Sequence, residues 1–172
     1  APYPDPLVAV DVDDSGSIVV TGTSNVAATV QGSPAVVEGP SGELDAIQYG
    51  TGAFVQLGDN GVDTDNTWTV DCYIYSPMTI APGRWGTLTR GRAGDHQIIV
   101  KNDGHELGGY ENGRRGFVGT GWEIDSLSDG WHRLTVSAGC TEPSCSTRLV
   151  IYYIDGAEVA RTDYSSETDF FA

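Results

Sequence analysis

Apolar residues recur at every second position through much of this chain, and nowhere do they keep the i, i+3, i+4, i+7 spacing of an amphipathic helix. That alternation predicts strands. LVAVDVD sets Val8, Val10 and Val12 against Leu7, Ala9 and Asp11, and the turn cluster Asp13-Asp14-Ser15-Gly16 leads into SIVVTGT. Further strands are expected over Ala35 to Glu38, Leu44 to Tyr49, Ala53 to Leu57, Thr67 to Tyr75, Trp85 to Arg90, Gln97 to Lys101, Glu106 to Tyr110 and Gly116 to Val118. Three more cover Trp131 to Ala138, Thr147 to Ile154 and Ala157 to Arg161. Asp155-Gly156 separates the last two, a hairpin signal because both residues tolerate positive φ. In TWTVDCYIY the alternation puts Trp68, Val70, Cys72 and Ile74 on one inward face, and Trp131 is expected in the core as well.

The 172 residues fit one domain, residues 7–172, preceded by an extended arm at 1–6, where proline occupies every second position. The longest apolar run, Leu149 to Ile154, is six residues, far short of the roughly 20 needed to span a bilayer. Nine Lys plus Arg against 24 Asp plus Glu give a net charge of −15, which disfavours nucleic acid and anionic membranes as partners. The charge is unevenly placed. Residues 1–83 hold eleven acids and no base, whereas residues 84–133 hold seven of each, including Arg84, Arg90, Arg92, Arg114 and Arg115. Attraction between the acidic part of one copy and the Arg-bearing part of the next would build a head-to-tail assembly.

Cys140 and Cys145 bracket four residues, and we expect a disulfide there, which places the chain in an oxidising, extracellular compartment. The start at Ala1, without Met, suits a mature secreted form. Asp59, Asn60, Asp63 and Asp65 crowd oxygen donors around Gly61, a composition that suits calcium and equally suits a polar turn. Trp85 and Trp122, flanked by Gly with Arg or Glu, are expected to be exposed with Tyr110 near Arg114 and Arg115, as a glycan platform or an assembly contact.

Several segments together carry a resemblance: LVAVDVDDSG at Leu7 to Gly16, AIQYGTGAFVQLGD at Ala46 to Asp59, Trp68 to Tyr75, WGTLTR at Trp85 to Arg90, GWHRLTV at Gly130 to Val136 and YIDGAEV at Tyr153 to Val159. In order and spacing they resemble the laminin-G-like branch of the concanavalin A-like lectin and glucanase superfamily. The resemblance implies an all-β fold, a two-sheet antiparallel jelly-roll sandwich of about a dozen strands. In that family a closing strand follows the Y-x-D-G hairpin, and residues 163–172 offer only Phe170 and Phe171 as an apolar pair. A vacant sheet position, filled by a strand from another copy, is therefore expected, with Val8, Val10 and Val12 as its anchors.

The superfamily's glucanases place an E-x-D-x-x-E motif on one strand, with nucleophile and general acid side by side. Here Glu123-Ile124-Asp125-Ser126-Leu127-Ser128 has serine where that acid belongs, so no enzyme is expected. The pentraxin branch supplies calcium ligands from an Asp-Asn pair that reads Asp95-His96 here, and its later acidic cluster has no counterpart. The sequence thus points first to a secreted structural subunit forming a homopolymer by inter-subunit strand complementation, and second to a calcium-assisted glycan-binding module.

Overall fold

The computed structural model describes residues 9–22, 27–58, 67–91, 94–113, 115–140 and 148–164. All regular structure among them is strand, apart from one 3-10 turn at Ile124–Ser126. The chain divides into two compact units, Ala1–Asp63 and Thr64–Ala172.

The first unit holds six short strands: β1 (Ala9–Val12), β2 (Ile18–Thr21), β3 (Ala28–Gln31), β4 (Ala35–Val37), β5 (Ala46–Gln48) and β6 (Phe54–Leu57). They pair antiparallel two by two, β1 with β2, β3 with β6 and β4 with β5. Their side chains are half-buried or exposed, Val30 being 42 % and Phe54 48 % accessible, and none of the buried core residues lies in these strands. The expected turn at Asp13 is present. The Asp13 carboxylate accepts the Ser15 and Ser17 amides at 2.9 Å, and Gly16 takes φ 76°, a left-handed conformation that favours glycine. The Ser15 hydroxyl and the Ser17 amide hold the Asp13 carboxyl below its ordinary value. Strand β3 is absent from the sequence reading, because its alternation rests on Ala28 and Val30 alone, and both are exposed.

The second unit is a β-sandwich. One antiparallel sheet contains β7 (Trp68–Ser76), β12 (Gly130–Cys140), β13 (Arg148–Ile154) and β14 (Ala157–Asp163), in the order β14-β13-β12-β7. The other contains β8 (Gly86–Thr89), β9 (His96–Val100), β10 (Glu106–Glu111) and β11 (Gly116–Glu123), in the order β11-β10-β9-β8. One core joins them: Ile74 of β7, Leu134 and Val136 of β12, and Val150 and Tyr152 of β13 belong to the same cluster as Ile98 and Val100 of β9 and Leu107 of β10. Because successive strand residues face opposite ways, each of these positions is the inward half of an alternating pair. Fully burying such a side chain stabilises the fold by about 1.5–3 kcal/mol, so this cluster is the main cohesive term of the unit.

In β7 the alternation runs as the sequence implies, with Trp68 and Ile74 buried and Val70 and Cys72 packed against the core. Burial, reinforced by the neighbouring Asp71 carboxylate, pushes the Cys72 thiol up to about 11, so it packs as a small apolar group and is unreactive. Trp131 departs from expectation. It pairs with Tyr75, not with an inward residue, and its ring meets that of Tyr75 edge-on at 5.3 Å. In β12 the inward set is His132, Leu134, Val136 and Ala138, which forces the odd-numbered Trp131 to the outer face.

The β13–β14 hairpin is locked by the residues of its turn. Asp155 (φ 50°) and Gly156 (φ 81°) adopt the positive φ that the Asp-Gly pair anticipates. The Asp155 carboxylate accepts the Arg133 amide at 2.9 Å and the His132 Nδ1–H at 2.8 Å, while His132 Nε2–H donates to the Ser128 carbonyl at 2.9 Å. The hydrogen bonds from His132 raise its imidazole above its ordinary value, and the same His132 contact holds the Asp155 carboxyl below its own. The His132 contribution is present in full below the unfolded pKa near 6.5 and is lost as pH rises through the higher folded value. The Asp155 contribution is present above about 3.8 and is lost as pH falls through the lower folded value. His96 acts oppositely to His132, because its folded pKa is lowered. A difference measurement isolates the effect: the melting-temperature gap between wild type and His132→Gln is expected to be widest between about pH 4 and 6.5 and to narrow toward pH 8.5. A gap independent of pH would show that the imidazolium has no such role.

Candidate functional site

The outer face of the β8–β11 sheet gathers the aromatic residues that have no place in the core. The strand register does the gathering: Tyr110 of β10 lies opposite Phe117 of β11 on one side and His96 of β9 on the other, so three rings fall in a row across three strands. Trp85, immediately before β8, closes the row. Its ring meets Tyr110 at 6.1 Å and Phe117 at 5.2 Å, both edge-on, and His96 meets Tyr110 at 5.8 Å. Such edge-to-face contacts put the positive rim of one ring against the negative face of the next, which fixes ring orientation as well as position.

Glycine keeps the face low. A Cβ on Gly108, two residues before Tyr110 on the same strand face, would lie 2.8 Å from the Phe117 ring, so any side chain there would displace the aromatic row. The result is a shallow cleft of about 370 Å³ lined by Trp85, Thr87, His96, Ile99 and Tyr110. Its walls combine apolar and aromatic surface with polar groups, among them the Thr87 hydroxyl and His96 Nδ1, which lie 3.0 Å apart. Burial, and then the Arg90 cation, lower the His96 pKa against the opposing pull of Asp95, so the imidazole is neutral at pH 7 and can both donate and accept. Lys101 places its ammonium 5.8 Å from the Phe117 ring centroid, a cation–π contact at the end of the row.

The structure thus brings together two of the five residues that the sequence reading grouped as a platform, Trp85 and Tyr110. Trp122 packs against the hydrophobic core instead, because its strand position alternates inward with Val118. Arg115 lies over the Tyr164 ring at 5.2 Å, and Arg114 is outside the described residues. Thr87, Phe117 and Lys101 escaped the sequence reading, and His96 entered it only as the residue beside Asp95 in the pentraxin comparison. The available signal was Phe117 in an otherwise Gly-rich strand, and only the register shows that it faces Tyr110.

Of the assembly anchors, Val10 and Val12 sit in β1, which pairs with β2 of its own chain through Val10–Val20 and Val12–Ile18. Val8 lies outside the described residues, as do the calcium candidates Asp59, Asn60, Asp63 and Asp65. Cys140 ends β12 opposite Arg148, and Cys145 is outside the described residues. Among the described residues no group of three or more His, Cys, Asp or Glu is placed to hold a metal.

The carboxylates at the glucanase-like positions are not aligned on a strand. Glu123 ends β11 and Asp125 lies in the following 3-10 turn, where its carboxylate meets His105 Nδ1 at 2.9 Å. A Ser-His-Asp arrangement is present that spacing gave no hint of: Ser128 Oγ lies 3.4 Å from His132 Nε2, and His132 Nδ1 contacts Asp155. Nε2 lies nearer the Ser128 carbonyl oxygen, at 2.9 Å, than the hydroxyl, and a ring nitrogen that donates to that carbonyl is not a base for the hydroxyl.

Comparison of the chain with protein-family models, with curated proteins and with solved structures finds no match.

Proposed function

We propose that this chain is a non-catalytic, extracellular binding module with a laminin-G-like jelly-roll sandwich, and that it recognises glycan on the outer face of the β8–β11 sheet. The observation that carries this reading is the cleft in which Trp85 and Tyr110 stand beside Thr87 and His96. Sugar rings present an apolar C–H face and a rim of hydroxyls. An aromatic wall that shields the first and a hydroxyl and a neutral imidazole that bond the second are the complementary set. Glycan recognition ranks above strand donation because β1 already commits one edge to β2.

A glycan array probed with the full chain, with and without chelator, tests the proposal. Binding to a defined set of oligosaccharides is expected. Signal that survives chelator assigns recognition to the aromatic cleft alone, and signal that vanishes adds calcium, for which Asp59, Asn60, Asp63 and Asp65 are the candidate ligands. A flat array in both conditions would remove the reading.

A further inference from the structure

The sandwich unit has four edge strands among the described residues: β7, β14, β8 and β11. Exposed edges invite pairing with other chains, and proteins blunt them with short length, charges, bulges or proline. Three of the four are blunted. β8 is four residues long and its pairing slips between Thr87 and Thr89. β14 carries Glu158, Arg161 and Asp163, and its register against β13 shifts between Tyr152 and Tyr153. β11 contains Gly116 and Gly121 at positive φ and breaks register between Glu106 and Gly108 of its partner.

β7 has none of these devices. It runs nine residues in unbroken register against β12, from Trp68 opposite Ala138 to Ser76 opposite Gly130. Trp68–Ser76 contains no proline, lysine or arginine. Its one charge, Asp71, is neutralised by a two-pronged contact with the Arg133 guanidinium, in which Nε–H donates at 2.9 Å. Tyr73 and Tyr75 stand outward from it, 55 % and 53 % exposed. This is about 30 Å of regular, nearly uncharged strand edge.

The residues of β7 also say which partner fits. Only one antiparallel self-pairing overlaps all nine residues, the one centred on Cys72. It sets Val70 against Ile74 of the second copy on the inner face, and Thr69 against Tyr75 and Asp71 against Tyr73 on the outer face. Inward side chains stay inward and outward ones outward, so the alternation continues across the junction. The same register keeps the two Asp71 carboxylates apart and puts each beside a tyrosine hydroxyl that can donate to it. We infer that β7 is a homotypic strand-pairing site at which two copies of this chain join antiparallel, merging two four-stranded sheets into one of eight. A two-fold contact of this kind closes on itself and gives a dimer, not a filament.

Charge gives the inference a sharp signature. Each copy carries −15, so the copies repel at long range, and the strand edge supplies no ionic attraction to offset this. Salt shrinks the screening length from about 30 Å at 0.01 M to about 3 Å at 1 M, so strand pairing strengthens as salt rises. Head-to-tail attraction between oppositely charged parts would weaken instead.

Sedimentation velocity of the full chain across a salt and concentration series tests this. A monomer–dimer equilibrium that shifts toward dimer with added salt is expected. Tyr73→Asp places a carboxylate opposite Asp71 twice in each dimer and is expected to weaken association at least tenfold, whereas Tyr73→Lys at the same place is expected to retain or tighten it. Amide hydrogen exchange on wild type is expected to show protection at residues 68–76 that grows with protein concentration. Monomers under all conditions, association that falls with salt, equal effects of the two Tyr73 variants, or concentration-independent exchange in β7 would each overturn it. The glycan cleft lies on the other sheet, so oligosaccharide binding by Tyr73→Asp reports separately on the function proposed above.

Discussion

Trp85→Ala is expected to reduce affinity for the oligosaccharides identified on an array by at least tenfold. The side chain forms one wall of the cleft and holds both Tyr110 and Phe117 by edge-on contacts, so its removal takes away contact area and frees two neighbouring rings. Buried tryptophan anchors at interfaces typically contribute about 2 kcal/mol or more, and each 1.4 kcal/mol is a factor of ten. The cost to folding is smaller, because Trp85 is 38 % exposed and lies outside the core cluster. Calorimetric titration of the variant, alongside its melting curve, separates the two effects. Trp85→Phe, which restores an aromatic wall of smaller area, is expected to recover part of the affinity. Unchanged affinity in the alanine variant with an intact fold would place the ligand elsewhere.

Leu134→Ala is expected to destabilise the sandwich unit by about 2–5 kcal/mol. Leu134 is fully buried in the middle of β12, paired with Cys72 of β7 on one side and Ile154 of β13 on the other. The hydrogen-bonded strands around it cannot collapse to fill the space, so the lost transfer energy is joined by a cavity term. Against a total stability of about 5–15 kcal/mol, a change of that size is a large fraction of the whole. All four tryptophans lie within Thr64–Ala172, so their fluorescence follows urea unfolding of this unit alone. The midpoint is expected to fall at nearly constant slope. Thr135→Ala, one residue along and on the opposite face, is expected to change stability by only about 0.5 kcal/mol, since its side chain contributes little beyond a 3.2 Å contact with Asp71. Equal effects at 134 and 135 would mean that the inward and outward faces had been assigned the wrong way round.

The strands of the sandwich unit were legible where alternation was strong. TWTVDCYIY read correctly because its apolar residues recur at every second position, LVIYYI because a six-residue apolar run bounded by a turn suits a buried strand, and the Asp155-Gly156 turn because few dipeptides accept two positive φ values. ATVQ was not legible, since two apolar residues, one of them only alanine, are too short and weak a pattern to mark a strand. Gly116 to Val118 was read as too short by five residues, because Gly119 and Gly121 dilute the pattern in β11. The candidate site was half legible. Trp85 and Tyr110 drew notice as aromatics among polar neighbours, while Trp122 and Trp131 were each placed on the wrong face.

The amino-acid sequence by itself determined the all-β class, the turn positions and which residues of the long strands share a face, because those depend on local φ preferences and a two-residue period. Only the tertiary structure decided which face of each strand met the core and which strands became neighbours. Both depend on registers set between residues tens of positions apart: Tyr110 finds His96 and Phe117, and Asp71 finds Arg133, only once the sheets have closed.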